Sequence, residues 1–111
     1  MSTIFKRIID GEIPADVVYE DDLCLAFRDV SPQAPVHVLV IPKAHVATLS
    51  DTGPQHEALL GRMLALAPKL MAQLGVTNGY RVVVNTGPDG GQEVYHLHMR
   101  VMGGPRPWVK G

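Results

Sequence analysis

One stretch of this chain is long and periodic enough to be a substantial helix, and its pattern constrains the rest of the fold. From about 54 to 74, Leu59, Met63, Leu66, Leu70 and Leu74 recur at intervals of four, three, four and four residues and draw an apolar stripe along one side. A single stripe cannot bury itself, so it must lie against a sheet or a partner. Pro68 falls inside the stretch. A proline removes one backbone hydrogen bond and crowds the turn before it, so a kink or break is expected near 64–68.

The remaining sequence supplies the sheet. VVYE (17–20), LCLAFRD (23–29), HVLVIP (37–42), YRVVVN (80–85) and VYHLHMRVM (94–102) are of strand length and rich in β-branched, aromatic or aliphatic residues. Asp21-Asp22, SPQAP (31–35), Asn78-Gly79 and GPDGG (87–91) separate or precede them as turns, and Pro42 closes the third. At the start, Ser2 or Thr3 can cap a short helix over 3–10, with Phe5, Ile8 and Ile9 on one side and Gly11 as its stop. The expected fold class is α+β: a five-stranded antiparallel sheet with one long and one short helix. A length of 111 residues predicts a single domain, 1–111, because two cores would leave each half near the limit for unassisted folding. There is no internal repeat and no low-complexity linker.

Composition narrows the function. Ten Lys and Arg against 11 Asp and Glu give a net charge of −1, so no bulk field would hold nucleic acid or an anionic membrane, and any anion must be bound locally. Cys24 is alone and cannot form an intramolecular disulfide. The first ten residues mix charges into their apolar positions, unlike a signal peptide, and no apolar run approaches the ~18–20 residues of a membrane span. A soluble protein of the reducing cytoplasm is expected.

Five histidines are many for this length, and two sit together at His96 and His98. On a strand over 94–102, His96, His98 and Arg100 would share one face at ~6.6–6.8 Å intervals, with Tyr95, Leu97, Met99 and Val101 on the other. Immediately upstream, GPDGGQ offers backbone N–H groups that could approach a phosphate closely. A metal site would need His37 or His45 as a third ligand, and the permanent charge of Arg100 beside it is unfavourable, so no metal or other cofactor is expected. No spacing signals paired catalytic carboxylates. Attack by an imidazole on phosphorus, with neighbouring cations and amides holding the anionic oxygens, uses every residue type present.

These residues carry a family resemblance. GGQEVYHLHMRVMGG resembles the HxHxHxx signature of the histidine triad superfamily, and TIFKRIIDGEIPA, EDDLCLAFRDVSPQAPVHVLVIPKAH and GYRVVVNTGPDGGQEVYHLH resemble its Hint branch over essentially the whole chain. The resemblance implies a homodimer, its sheet continued across the two copies, that binds purine nucleoside monophosphates. It also implies hydrolysis of nucleoside phosphoramidates, such as adenosine monophosphate joined to an amine, through a nucleotidyl-histidine. Carried over by position, His98 is the nucleophile, oriented by His96 and His37. Asn85 and the backbone around Gly91, Gln92, Glu93 and Val94 hold the phosphate, and Asp29 binds the ribose. Phe5, Ile8, Phe27, Val30 and Leu39 form the base pocket, and Trp108 matches an aromatic residue near the partner subunit's site.

The motif's third histidine is Arg100 here. Arginine can grip phosphate oxygens with a fixed fork of donors, but it keeps its proton at neutral pH and cannot pass one to a leaving amine. Its charge should also lower the pKa of His98 and keep that ring nucleophilic. Weakened turnover with retained nucleotide binding is therefore expected. The alternatives are a nucleotide sensor or interaction module that has lost the chemistry, or a nucleotidyltransferase, since superfamily branches without the third histidine resemble transferases.

Overall fold

The computed structural model describes residues 3–108. Its elements run α1 (Ile4–Ile9), β1 (Val17–Glu20), β2 (Cys24–Arg28), β3 (Val36–Pro42), two short 3-10 turns (Leu49–Asp51 and Pro54–His56), α2 (Glu57–Gln73), β4 (Tyr80–Val83) and β5 (Met99–Gly103). The strands form one antiparallel sheet in the order β1-β2-β3-β5-β4, as the α+β reading expected.

Alternation along the strands divides the core in two. Cys24 and Ala26 of β2, Val38 and Val40 of β3, and Met99 and Val101 of β5 face α2 and meet Met63, Leu66, Ala67, Leu70 and Met71. Leu59 and Leu74, the ends of the apolar stripe, pack at its margins. The opposite faces of β2 and β3 present Leu25, Phe27, Leu39 and Ile41, which α1 covers only in part through Phe5. The Thr3 hydroxyl caps α1 by accepting from the Lys6 N–H at 3.1 Å.

Two elements differ from expectation. α2 is unbroken through Pro68. Pro68 and Leu64, the residue whose carbonyl loses its partner, both lie on the exposed side of the helix. Water can therefore take the missing bond's place without cost to the buried stripe. The last strand begins at Met99, so His96 and His98 stand ahead of it rather than within it. In the β3–β5 register Val40 pairs with Met99, and continuing it would set Leu97 against Pro42, which has no N–H to donate. The ladder stops there, and the Leu97 N–H turns to the Val46 carbonyl at 2.7 Å. The division of faces survives this change: Leu97 and Met99 remain on the α2 side, while His98 and Arg100 face the other way. Tyr95 does not join the core and is exposed.

Candidate active site

The thinly covered face of the sheet holds a cavity of about 520 Å³ between α1, the β2–β3 turn, the 85–94 loop and the residues before β5. Phe5, Ile8, Phe27, Asp29, Val30, Leu39, Asn85, Gly91, Glu93, Val94, His98 and Arg100, all candidates from the sequence, line it together. Its floor is aromatic and aliphatic. Phe5 packs edge-on against Phe27 and His98, with ring centroids 5.7 and 5.0 Å apart.

His98 is held for one task. Its Nδ1–H donates to the His96 carbonyl at 2.9 Å, which leaves the Nε2 lone pair as the free nitrogen of a ring on the cavity wall. Burial lowers the His98 pKa and Arg100 lowers it further, against the opposing hydrogen bond to His96 and the charge of Asp29, so the ring is neutral near pH 7.

The other two histidines act differently from expectation. His96 is fully buried and does not line the cavity. Its Nε2–H donates to the Pro42 carbonyl at 2.8 Å, and it orients His98 through its main chain rather than its ring. His37 is also buried and outside the lining. Its Nδ1 accepts the Gln33 N–H at 3.0 Å, which puts its proton on Nε2, 3.5 Å from Asp29 Oδ2. His37 therefore steadies the wall behind Asp29 and makes no hydrogen bond to His98 among the described residues. The other oxygen of Asp29 accepts from the Ser31 N–H at 2.8 Å and closes the turn after β2.

The glycine-rich loop is built for close approach. A Cβ on Gly90 would stand 2.2 Å from the Thr86 carbonyl oxygen, and Gly91 has φ +78°. The Gly91 and Gln92 N–H groups are spent inside the loop, on the carbonyls of Pro88 and Gly87. The Glu93 and Val94 N–H groups have no hydrogen-bond partner among the described residues, and both residues line the cavity. The Gln92 backbone, expected to help hold the phosphate, has its N–H bonded to the Gly87 carbonyl, and the side chain holds the loop. It is buried, accepts from the Gly87 N–H at 2.9 Å, and donates to the Ala47 and Val94 carbonyls at 2.8 and 3.0 Å, tying the loop to the segment after β3. Trp108 lies outside this cavity, in a cleft with Arg81 and Arg106 stacked on its ring.

Arg100 enters the cavity from β5 between two amide carbonyls. Its Nε–H donates to Asn85 Oδ1 at 3.1 Å, and Nη1–H donates to Gln33 Oε1 at 3.2 Å. Asn85 Nδ2 in turn donates to the Gly90 carbonyl at 2.8 Å. Asn85 thus grips Arg100 through its carbonyl and the loop through one amide N–H, and it keeps a second amide N–H on a side chain that lines the cavity.

The sequence left Gln33 without a role and offered His45 only as a possible metal ligand. Gln33 lies four residues before His37 inside the SPQAPVH segment, and that proximity was the available signal. His45 donates from Nε2 to the Tyr95 carbonyl at 3.0 Å and packs edge-on against His96, with centroids 5.1 Å apart. His56 has a purely local part: its Nδ1 accepts from the Gly53 N–H at 3.0 Å ahead of α2.

A family model described as the HIT domain matches residues 10–106. The purine nucleoside phosphoramidase of Escherichia coli strain K12 is 53% identical over 103 residues, covering 92% of this chain and 87% of that protein. An uncharacterized HIT-like protein of Synechococcus elongatus is 63% identical over 102 residues, covering 92% of this chain and 90% of the relative. Among solved structures, a HIT family hydrolase from Legionella pneumophila superposes with a TM-score of 0.91 at 48% identity over 95% of both chains. A histidine triad protein from Clostridium difficile gives the same TM-score at 42% identity, covering 96% of this chain and 94% of that one. This chain belongs to the HIT domain family, the family of those hydrolases, and its five-stranded sheet and long helix are the architecture they share.

Proposed function

We propose that this chain binds purine nucleoside monophosphates and hydrolyses nucleoside 5′-phosphoramidates and related nucleotidyl compounds through a nucleotidyl-His98 intermediate. The observation that carries the reading is the state of His98: neutral, tied at Nδ1, and open at Nε2 beside a fixed guanidinium. The aromatic floor suits a base, Asp29 suits the ribose hydroxyls, and the N–H groups of Glu93 and Val94 with Arg100 suit the phosphate. No metal or other cofactor enters this chemistry. Neither nucleic acid nor a membrane is among the proposed partners; among the described residues, no helix is long and apolar enough to cross a bilayer. A cytoplasmic setting suits the buried, lone Cys24, whose thiol burial pushes up to about 11.

The homodimer belongs to the same reading. β4 is an edge strand with Tyr80, Arg81 and Val82 exposed, and Leu64 projects from the outer side of α2. Both features suit pairing with a second copy. Sedimentation at micromolar concentration should give twice the chain mass.

Incubation with an adenosine phosphoramidate, followed by intact mass, tests the chemistry. An adenylyl adduct on His98 that forms slowly, with slow release of the amine, is expected. Tight nucleotide binding with no adduct and no hydrolysis would replace the enzyme with a nucleotide sensor.

A further inference from the structure

Arg100 is a permanent charge held by neutral groups. Both groups that hold it, Asn85 and Gln33, offer neutral amide oxygens, and no carboxylate pairs with it among the described residues. Asn85 cannot turn away, because one amide N–H is engaged by Gly90. Gln33 is anchored through its own main chain, whose N–H is bonded to His37. The guanidinium is therefore fixed beside His98, with the N–H groups of Nη2 left over for a ligand.

Among the described residues, the cavity holds no general acid beside the nucleophile. His98 spends its one free nitrogen on the attack, and its Nδ1–H is bound to the His96 carbonyl. Arg100 keeps its proton. Of the two carboxyl groups lining the cavity, Asp29 is engaged by Ser31 and His37, and Glu93 stands exposed at the rim. An amine leaving phosphorus needs a proton as the bond breaks, whereas a carboxylate, a phosphate or an aryl oxide leaves as a stable anion that a fixed cation attracts.

We propose that Arg100, held in place by Gln33 and Asn85, makes this site selective for nucleotidyl substrates whose leaving group departs as an anion, mixed anhydrides above all, over those that release an amine. The proposal rests on the reading of His98 as nucleophile. In the first step the Nε2 lone pair forms a bond to phosphorus, the bond from phosphorus to the leaving oxygen breaks, and its electron pair leaves with that oxygen. In the second step water attacks phosphorus, the P–N pair returns to Nε2, and the water's proton passes to solvent. No acid is consumed in the departure step.

Three substrates sharing adenosine 5′-monophosphate test this: an alkylamine phosphoramidate, the acetyl mixed anhydride and the p-nitrophenyl ester. Each is measured on the wild-type dimer or monomer as purified and on Arg100→His, which restores the residue of the family motif. The expected result is a shift in the kcat/KM ratio, amine over anion, of at least tenfold and about a hundredfold in favour of the amine in R100H, the range a positioned general acid supplies. Both anion-releasing substrates should move together. Gln33→Leu, which loosens the hold on Arg100 but keeps its charge, should lower kcat/KM on all three alike and leave the ratio unchanged. The proposal is overturned if R100H moves the ratio by less than tenfold, if the two anion-releasing substrates diverge, if Q33L moves the ratio as R100H does, or if Glu93→Gln selectively abolishes amine release. Silence of both proteins on all three substrates, with no adduct by intact mass, overturns the underlying nucleophile assignment as well, and turnover with an unchanged ratio overturns the selectivity alone.

Discussion

The two faces of the sheet are made from the same strands and do opposite things. Toward α2, Val38, Val40, Met99 and Val101 interlock with Met63, Leu66 and Leu70 into a buried apolar layer. Toward the cavity, Leu39 packs with Phe5 of a helix of 6 residues that covers only part of this face, and Arg100 lines the space left open. The first face stores stability and the second leaves volume and donors for a ligand. What separates them is the size of the covering element: 17 residues of α2 against 6 of α1. A sheet in this size range can carry an underpacked, charged face because the other face supplies most of the burial.

Four perturbations probe that division, from the largest expected effect to the smallest. His98→Asn strikes the cavity face alone. It should reduce turnover by about a thousandfold or more and eliminate the nucleotidyl adduct. The thermal midpoint should move little; a large loss of stability would show that the two faces are not separable.

Leu70→Ala strikes the α2 face. Leu70 is completely buried, and the truncation should cost about 2–5 kcal/mol in urea unfolding while leaving adduct formation intact below the transition. If the adduct is lost while the protein is still folded, the layers are coupled more tightly than their separate clusters imply.

Asp21→Asn tests how the hairpin is pinned to α2. The Asp21 carboxylate accepts from Tyr19 OH at 2.7 Å, the Leu23 and Cys24 N–H groups at 2.8 and 2.7 Å, and Arg62 Nη1 at 3.0 Å. A cost of about 1–3 kcal/mol is expected, with catalysis unchanged. A neutral result would mean that the backbone ladder alone holds β1 and β2.

The pH response distinguishes the faces by where each fails. His37, His96 and His98 all have pKa values lowered from 6.5, chiefly by burial, so each binds fewer protons folded than unfolded. Their contribution to stability is complete above about 6.5 and declines as pH falls through the lower folded values. Burial raises the Asp21 pKa, but the hydrogen bonds from Tyr19, Leu23, Cys24 and Arg62 outweigh it and hold the carboxyl well below the usual range. Its contribution is present above 3.8 and is lost only as pH falls below that value. Hydrolysis should therefore decline below pH 6.5 before the hairpin loosens. A pH–rate profile set beside a pH–stability profile checks the order, and simultaneous failure would contradict it.

Much of this was legible in the chain. Hydrophobic period marked β1, the cores of β2 and β3, and α2, and the matched segments named most of the cavity wall, from Phe5 to Arg100. Pro68 misled because a proline's cost depends on which side of the helix loses its bond, and that side is set by packing. His96 and His98 were read onto a strand because alternation is a local signal, whereas a strand also needs a partner with N–H groups, and Pro42 withholds one. The resemblance placed Asn85 and the backbone of Gln92 at the phosphate. Their side chains bond backbone and guanidinium groups within the protein, and residue type alone does not show which partner a side-chain amide finds.

By itself the sequence determined the number and kind of elements, the face on which each strand residue lies, and the identity of the nucleophile candidate. Local backbone geometry and the family motif carry that information. Only the tertiary structure decided how the site is held. The contacts that tie His96 to Pro42, Gln92 to Ala47 and Gln33 to Arg100 span 54, 45 and 67 residues of chain. Their hydrogen bonds exist only after the sheet has brought those segments together, and no local pattern encodes which donor will meet which acceptor.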